Sequence, residues 1–183
     1  MQWNIPGTVL NVPMGENGQA EEKLTAMFLG GGMVLSQVCA VTGLEPYTVQ
    51  NWVKRGFLSK PVGKKYTLRQ LCRILIINML KDALLMEDIC GMLSYINGHL
   101  DDESDDLIDD SALYFLFLRV AGYHRQMGNP EGRDDYIHRQ LADYQEPKPG
   151  ARERVENVLK VMLTAWAASL LRQQAMNMVS QLN

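Results

Sequence analysis

The chain has 183 residues, 46% of them hydrophobic, with three cysteines and a formal net charge of -3. This is enough apolar material for one or two packed domains, and it excludes a wholly disordered chain or a small disulfide-stapled scaffold. The mean charge conceals a segregation: from Met33 to Lys81 eight Lys or Arg stand against one acid, Glu45, whereas Asp101–Asp110 holds seven acids in ten residues.

Taken in chain order, residues 1 to about 17 contain two prolines and two glycines with little periodicity, which predicts an irregular or partly extended arm. Ala20 to Leu29 predicts a short helix, with Glu21 and Glu22 at its positive dipole end and Gly30-Gly-Gly32 stopping it. Ser36 is the expected N-cap of a helix carrying Val38 and Val41, and Thr42-Gly43 ends it with a left-handed cap. Glu45 then caps a second helix in which Pro46 suits the first position, because its missing N–H would have been unpaired there anyway. Val49, Trp52 and Val53 share one face of that helix, leaving Tyr47, Thr48, Gln50, Asn51, Lys54 and Arg55 on the other.

Gly56 closes the helix, and the basic segment Lys60-Pro-Val-Gly-Lys-Lys-Tyr66 follows where a small wing would sit. Thr67 caps a helix from Leu68 to Leu80 that is apolar nearly all round, so it must be covered on more than one side. A further helix, Met86 to Tyr95, turns Ile89, Leu93 and Ile96 inward and stops at Asn97-Gly98. The acidic run Asp101–Asp110 reads as a solvated linker; its spacing fails as a calcium loop, since Asp106 stands where glycine is needed. Three helices are predicted beyond it, over 106–127, 131–144 and 151–181, separated by Gly128-Asn-Pro130 and Pro147-Lys-Pro-Gly150. The last carries the stripe Val155, Leu159, Met162, Trp166 and Leu170, suited equally to a bundle interior or a homodimer seam.

The expected organisation is an arm over 1–32, a head over 33–99 and a helical C-terminal domain over 100–183. Cys39, Cys72 and Cys90 are widely spaced in apolar patterns, which predicts buried structural thiols, no metal and a reducing cytoplasm. The N-terminus shows no signal-type region, and apolar runs such as Ala112 to Leu118 are too short to span a bilayer. No phosphate-binding glycine loop, nucleophile elbow or His-Glu metal pair is present, so neither an enzyme nor a cofactor is expected. The aromatic group Tyr114, Phe115, Phe117, Tyr123 and Trp166 reads as core, with a small-molecule effector pocket as the alternative.

A helix presenting Tyr47, Thr48, Gln50 and Asn51 opposite its core face can hydrogen-bond base edges in the major groove. Lys54, Arg55, Lys64, Lys65, Arg69 and Arg73 are placed in sequence for phosphates, which predicts salt-sensitive binding to double-stranded DNA. The run from Leu35 through Thr42-Gly43, Thr48-Val49, Trp52 and Gly56 to Leu58 resembles the first two helices of the MerR-type winged helix-turn-helix, and the likeness extends over residues 34–95. The whole chain also resembles an uncharacterised bacterial family with a MerR-like head and a helical tail.

That resemblance implies a dimeric transcription regulator of largely all-α fold, with a recognition helix in the major groove and a wing on the neighbouring backbone. Two features depart from the family: Gln50 and Asn51 replace its usual Arg and aromatic, and the wing is short and lacks an Asn-Gly turn. The family commonly dimerises through one long helix directly after the head, whereas an acidic run follows here. The rival expectation is a protein-interaction module that keeps the winged shape without reading DNA.

Overall fold

A computed structural model describes residues 2–13, 18–127 and 132–182, and the fold is mostly helical. In chain order the elements are β1 (Gln2–Asn4), β2 (Asn11–Pro13), α1 (Gln19–Ala26), β3 (Met33–Val34), α2 (Leu35–Thr42), α3 (Pro46–Lys54), β4 (Lys65–Tyr66), α4 (Leu68–Leu80), α5 (Met86–Asn97), α6 (Asp110–Met127), α7 (Arg133–Gln140) and α8 (Ala151–Ser180). Two antiparallel pairs, β1–β2 and β3–β4, are its sheets.

The centre is α4. Leu71, Cys72, Ile74, Leu75, Ile76, Ile77, Met79 and Leu80 are all buried, so every side of the helix needs a neighbour, and α2, α5, α6 and α8 supply them. Each such Leu or Ile taken out of water contributes roughly 1.5–3 kcal/mol, so burial of α4 is a major part of what holds the core together. The helix starts with the expected cap, made reciprocal by Gln70: Thr67 Oγ1 accepts from the Gln70 N–H at 3.2 Å, and Gln70 Oε1 accepts from the Thr67 N–H at 2.9 Å.

Because α4 is shared, one hydrophobic core runs from Ile5 to Trp166 and does not stop at the 99/100 boundary expected from sequence. The acidic run is not a solvated linker. Its Leu107 and Ile108 are buried, Glu103–Asp105 form a single 3-10 turn, and Asp106 and Asp110 reach back to arginines on α4.

The arm is more ordered than expected. β1 and β2 pair in the register Trp3↔Val12, and the turn between them is held by Thr8, whose hydroxyl donates to the Ile5 carbonyl at 2.9 Å. This turn lies across three helices: the Val9 N–H donates to the Val41 carbonyl at 3.0 Å, Asn78 Nδ2 donates to the Gly7 carbonyl at 2.9 Å, and the buried Tyr114 hydroxyl donates to the Pro6 carbonyl at 2.5 Å.

One expected cap and one expected helix span differ. The N-cap of α2 is Val34 instead of Ser36, and Gln37 Oε1 accepts from the Val34 N–H at 3.0 Å. α7 runs over Arg133–Gln140, shorter than expected; its expected first residue and the breaker at 128–130 lie outside the described residues.

Along α8, Val155, Leu159, Met162 and Trp166 pack into the bundle, with the Phe117 ring edge-on to Trp166 at 5.8 Å. Tyr114, Phe115 and Phe117 are core, while Tyr123 is half-buried and stacks on Tyr136 at 3.9 Å. Leu170, the last position of the expected stripe, is exposed. No helix among the described residues is long and apolar enough to cross a membrane.

Candidate functional site

The site is built on α3. α2 ends at Gly43, whose φ of 70° is the left-handed geometry that a side chain resists, and Leu44 turns back into the core. Pro46 occupies the first position of α3 after Glu45, as its fixed φ favours. Val49 and Trp52 are buried and Val53 packs beside them, so the helix is pinned along one face.

The opposite face carries the polar set expected from sequence. Tyr47 is 76% exposed; Gln50, Lys54 and Arg55 are exposed, and Thr48 and Asn51 are half-buried at the edges. Arg55 lies over the Phe57 ring at 4.6 Å and 3.8 Å from Glu87 of α5, a solvent-exposed pair of little energetic weight.

Beside α3 sits the basic segment, reduced to one tight turn. The Lys65 N–H donates to the Val62 carbonyl at 3.0 Å, and the two residues between, Gly63 (φ 57°) and Lys64 (φ 64°), both lie in the left-handed region. Two consecutive positive φ values are the hairpin turn that matches strand twist, so Gly-Lys performs here what Asn-Gly does elsewhere. β4 then pairs with β3 (Val34↔Lys65, Met33↔Tyr66), which ties the turn to the start of α2. Gln70 Nε2 holds the other end through the carbonyls of Ser59 and Lys60, each at 3.1 Å.

α3 and the turn enclose an open depression of about 340 Å³ lined by Leu35, Gln50, Val53, Pro61, Lys64 and Tyr66. Gln50 from the helix and Lys64 from the turn therefore face one space. Among the described residues Lys54, Lys60, Lys64 and Lys65 have no acidic group within 4.0 Å, so the end of α3 and the turn carry uncompensated positive charge.

Arg69 and Arg73 do not belong with those lysines, a correction to the expected phosphate set. Arg69 meets Asp106 at 2.6 Å, Glu103 at 3.3 Å, Asp109 at 3.7 Å and Asp110 at 3.9 Å. Arg73 is 6% exposed; its Nε donates to the Phe57 carbonyl at 3.0 Å and its Nη1 to Asp110 Oδ2 at 3.2 Å. Asn97 Nδ2 donates to the other oxygen of Asp110 at 2.9 Å. Burial pushes the Asp110 carboxyl up from its ordinary value, against the opposing pull of Arg73 and Arg69. Burial likewise raises Asp106, against its hydrogen bond from Arg69. The arginines go inward because an intramolecular carboxylate held at short range in a poorly hydrated site outcompetes solvent.

The cysteines divide. Cys72 is buried, as expected, whereas Cys39 and Cys90 are partly exposed. Burial raises all three thiols; Glu45 adds to it at Cys39, and Arg73 opposes it at Cys90. Among the described residues no three His, Cys, Asp or Glu side chains converge as metal ligands. Sequence reasoning missed the apolar lining of the depression, Leu35, Val53, Pro61 and Tyr66; the signal was a tight turn between Pro61 and Tyr66, which had to fold these residues toward α3.

Residues 34–117 match a family described as a domain of unknown function (DUF1836). The chain is 36% identical over 84 residues to "Uncharacterized protein YkrK" of Bacillus subtilis (strain 168), a stretch covering 44% of this chain and 36% of that one. The chain thus spans about a third of the length of the curated relative it matches. No solved structure matches. The matched segment runs from β3 into the middle of α6, so it holds the depression and both sides of the Arg69/Arg73 network.

Proposed function

We propose that the chain is a sequence-specific, double-stranded DNA-binding transcription regulator acting in the bacterial cytoplasm, with a MerR-like winged helix-turn-helix formed by α2, α3 and the Val62–Lys65 turn. The observation that carries this reading is the depression that Gln50 of α3 and Lys64 of the basic turn line together, with Lys54, Lys60, Lys64 and Lys65 of these two segments having no acidic partner among the described residues. In this reading α3 enters the major groove, where Tyr47, Thr48, Gln50 and Asn51 meet base edges. Lys54 and Arg55 at its end, with Lys60, Lys64 and Lys65 on the turn, contact phosphates and supply most of the affinity. No catalytic step belongs to this function.

The test is selection of bound sequences from a pool of random duplexes by the full chain, followed by titration of the enriched duplex against salt. The expected result is one enriched motif whose affinity falls steeply with salt, with a slope set by about five neutralised phosphates. Absence of both enrichment and salt-dependent binding would overturn the proposal.

A second reading, a protein-interaction module, is favoured by one observation: the floor of the depression is apolar, and Val62 beside it is 80% exposed. The two readings part at Val62→Lys, which strengthens binding to a phosphate backbone and abolishes docking of an apolar side chain.

A further inference from the structure

The run Gly30-Gly-Gly32 is not accounted for by the helix it follows. α1 ends at Ala26, so the helix has already stopped when the first glycine is reached. Two of the three glycines are required by the fold. Gly31 has a φ of 98°, backbone that a side chain resists, and at Gly32 a Cβ would stand 2.8 Å from the Tyr66 carbonyl oxygen and 3.0 Å from Lys65 Cβ, so glycine lets the loop lie close against β4. Gly30 has neither reason. Its φ is not positive, and a Cβ there would meet nothing within 4 Å. A glycine that neither packing nor backbone demands leaves the main chain open to close approach by a group from outside.

The surroundings of Gly30 fix the kind of group. Side chains alternate along β4: Lys64 and Tyr66 line the depression beside α3, whereas Lys65 leaves on the other side, over the glycine loop, with its Nζ 4.0 Å from where a Cβ of Gly31 would stand. That ammonium has no acidic group within 4.0 Å among the described residues, and the chain carries no acid between Glu22 and Glu45. Gly30 and Gly31 are exposed. The Gly31 N–H donates to the Phe28 carbonyl at 2.9 Å, but neither the Gly30 nor the Gly32 N–H donates to a backbone carbonyl among the described residues. Main-chain N–H groups without internal partners, beside an ammonium and with no side chain in the way, are complementary to a phosphate, whose oxygens accept from both.

We propose that the Gly30–Gly32 loop and Lys65 form a phosphate seat on the side of the turn away from α3. The proposal rests on the DNA-binding reading for the source of that phosphate, which is the duplex backbone. The turn then lies between two phosphate contacts, Lys64 toward α3 and Lys65 with the glycines beyond it. A free phosphate offers the same oxygens, and the test separates the two sources.

The test follows the amide resonances of Gly30, Gly31 and Gly32 by NMR in the isotope-labelled full chain as two probes are added separately: the duplex enriched by selection, and sodium phosphate exchanged for sodium chloride at constant ionic strength. The duplex is expected to shift all three amides saturably. Gly30→Val, uncharged and free of clash, is expected to leave Tm unchanged and to weaken duplex binding about tenfold. Lys65→Ala should cost less in that variant than in the wild type, because both changes act on one phosphate. If Gly30→Val lowers Tm, the wild-type amide shifts decide alone. Duplex bound with the glycine amides unmoved, or bound by a folded Gly30→Val chain as tightly as by wild type, would overturn the seat and leave the DNA-binding reading standing. A chain that binds no duplex, but whose glycine amides shift saturably with phosphate, keeps the seat for a free phosphoryl ligand and loses that reading. Amides moved by neither probe would overturn the seat.

Discussion

Replacing Asp110 with Ala removes the carboxylate that closes the junction between α4, α5 and α6. The side chains of Arg73 and Asp110 are 7% and 2% exposed, so solvent cannot take the place of the missing partner. Arg73 would keep one hydrogen bond, to the Phe57 carbonyl, and the Asn97 amide would lose its acceptor. Breaking a buried pair in this way costs about 3–5 kcal/mol, chiefly the penalty of an uncompensated buried charge. For a chain of this length that corresponds to a fall in Tm of roughly 10 °C.

Removing both partners is different: in Arg73→Met with Asp110→Leu no charge is left stranded, and stability is expected within about 1 kcal/mol of wild type. Urea unfolding, followed by circular dichroism and by tryptophan fluorescence, measures both. Trp3, Trp52 and Trp166 report from the arm, α3 and α8, and the two signals should coincide, since one core spans all three. An Asp110→Ala variant within 1 kcal/mol of wild type, or a double variant no better than the single one, would refute the account of the junction.

Lys54→Glu with Arg55→Glu is expected to abolish binding to the selected duplex while the far-ultraviolet spectrum and Tm stay unchanged; retained binding would displace the proposed groove. Lys64→Ala with Lys65→Ala should weaken all sequences alike and flatten the salt slope by about two, as loss of two phosphate contacts requires. Gly43→Ala forces a side chain into left-handed backbone and brings its Cβ to 2.7 Å from Val9 Cγ1, which should cost about 1–2 kcal/mol in urea unfolding. Tyr114→Phe leaves the Pro6 carbonyl unpaired in the interior, a loss of about 1–2 kcal/mol on the same assay. Because burial raises the Cys39 and Cys90 thiols, alkylation of the native protein should be slow at neutral pH and accelerate as pH rises past the ordinary thiol range, with Cys72 reacting only on unfolding. Rapid, pH-independent labelling would contradict that.

Local signals were read well where the chemistry is local. Thr42-Gly43, Pro46 and Thr67 mark their caps within a residue because each depends on neighbours in sequence. The two faces of α3 followed from a 3.6-residue period and the burial of Val49 and Trp52. Long-range partners were not legible. Arg69 and Arg73 read from sequence as phosphate ligands because nothing in it states that Asp106 and Asp110 fold back on them; the acidic and basic runs are plain in the sequence, but their pairing is a tertiary fact. For α8, the 3-4 stripe suits a bundle interior and a homodimer seam equally, and only the position of α4 decides that Val155, Leu159, Met162 and Trp166 lie inside.

The arm has a kinetic consequence. Its turn is fastened by hydrogen bonds from Asn78 and Tyr114, 71 and 108 residues away in sequence. Helical proteins generally fold fast because their contacts are local, but these contacts close very long loops, and the entropy of closure must be met before any bond rewards it. Docking of the arm is therefore expected to be the late step of folding, after α4 has gathered α2 and α6 into the surface it lies across. By the same reasoning it is the segment whose amides exchange with solvent before the core opens.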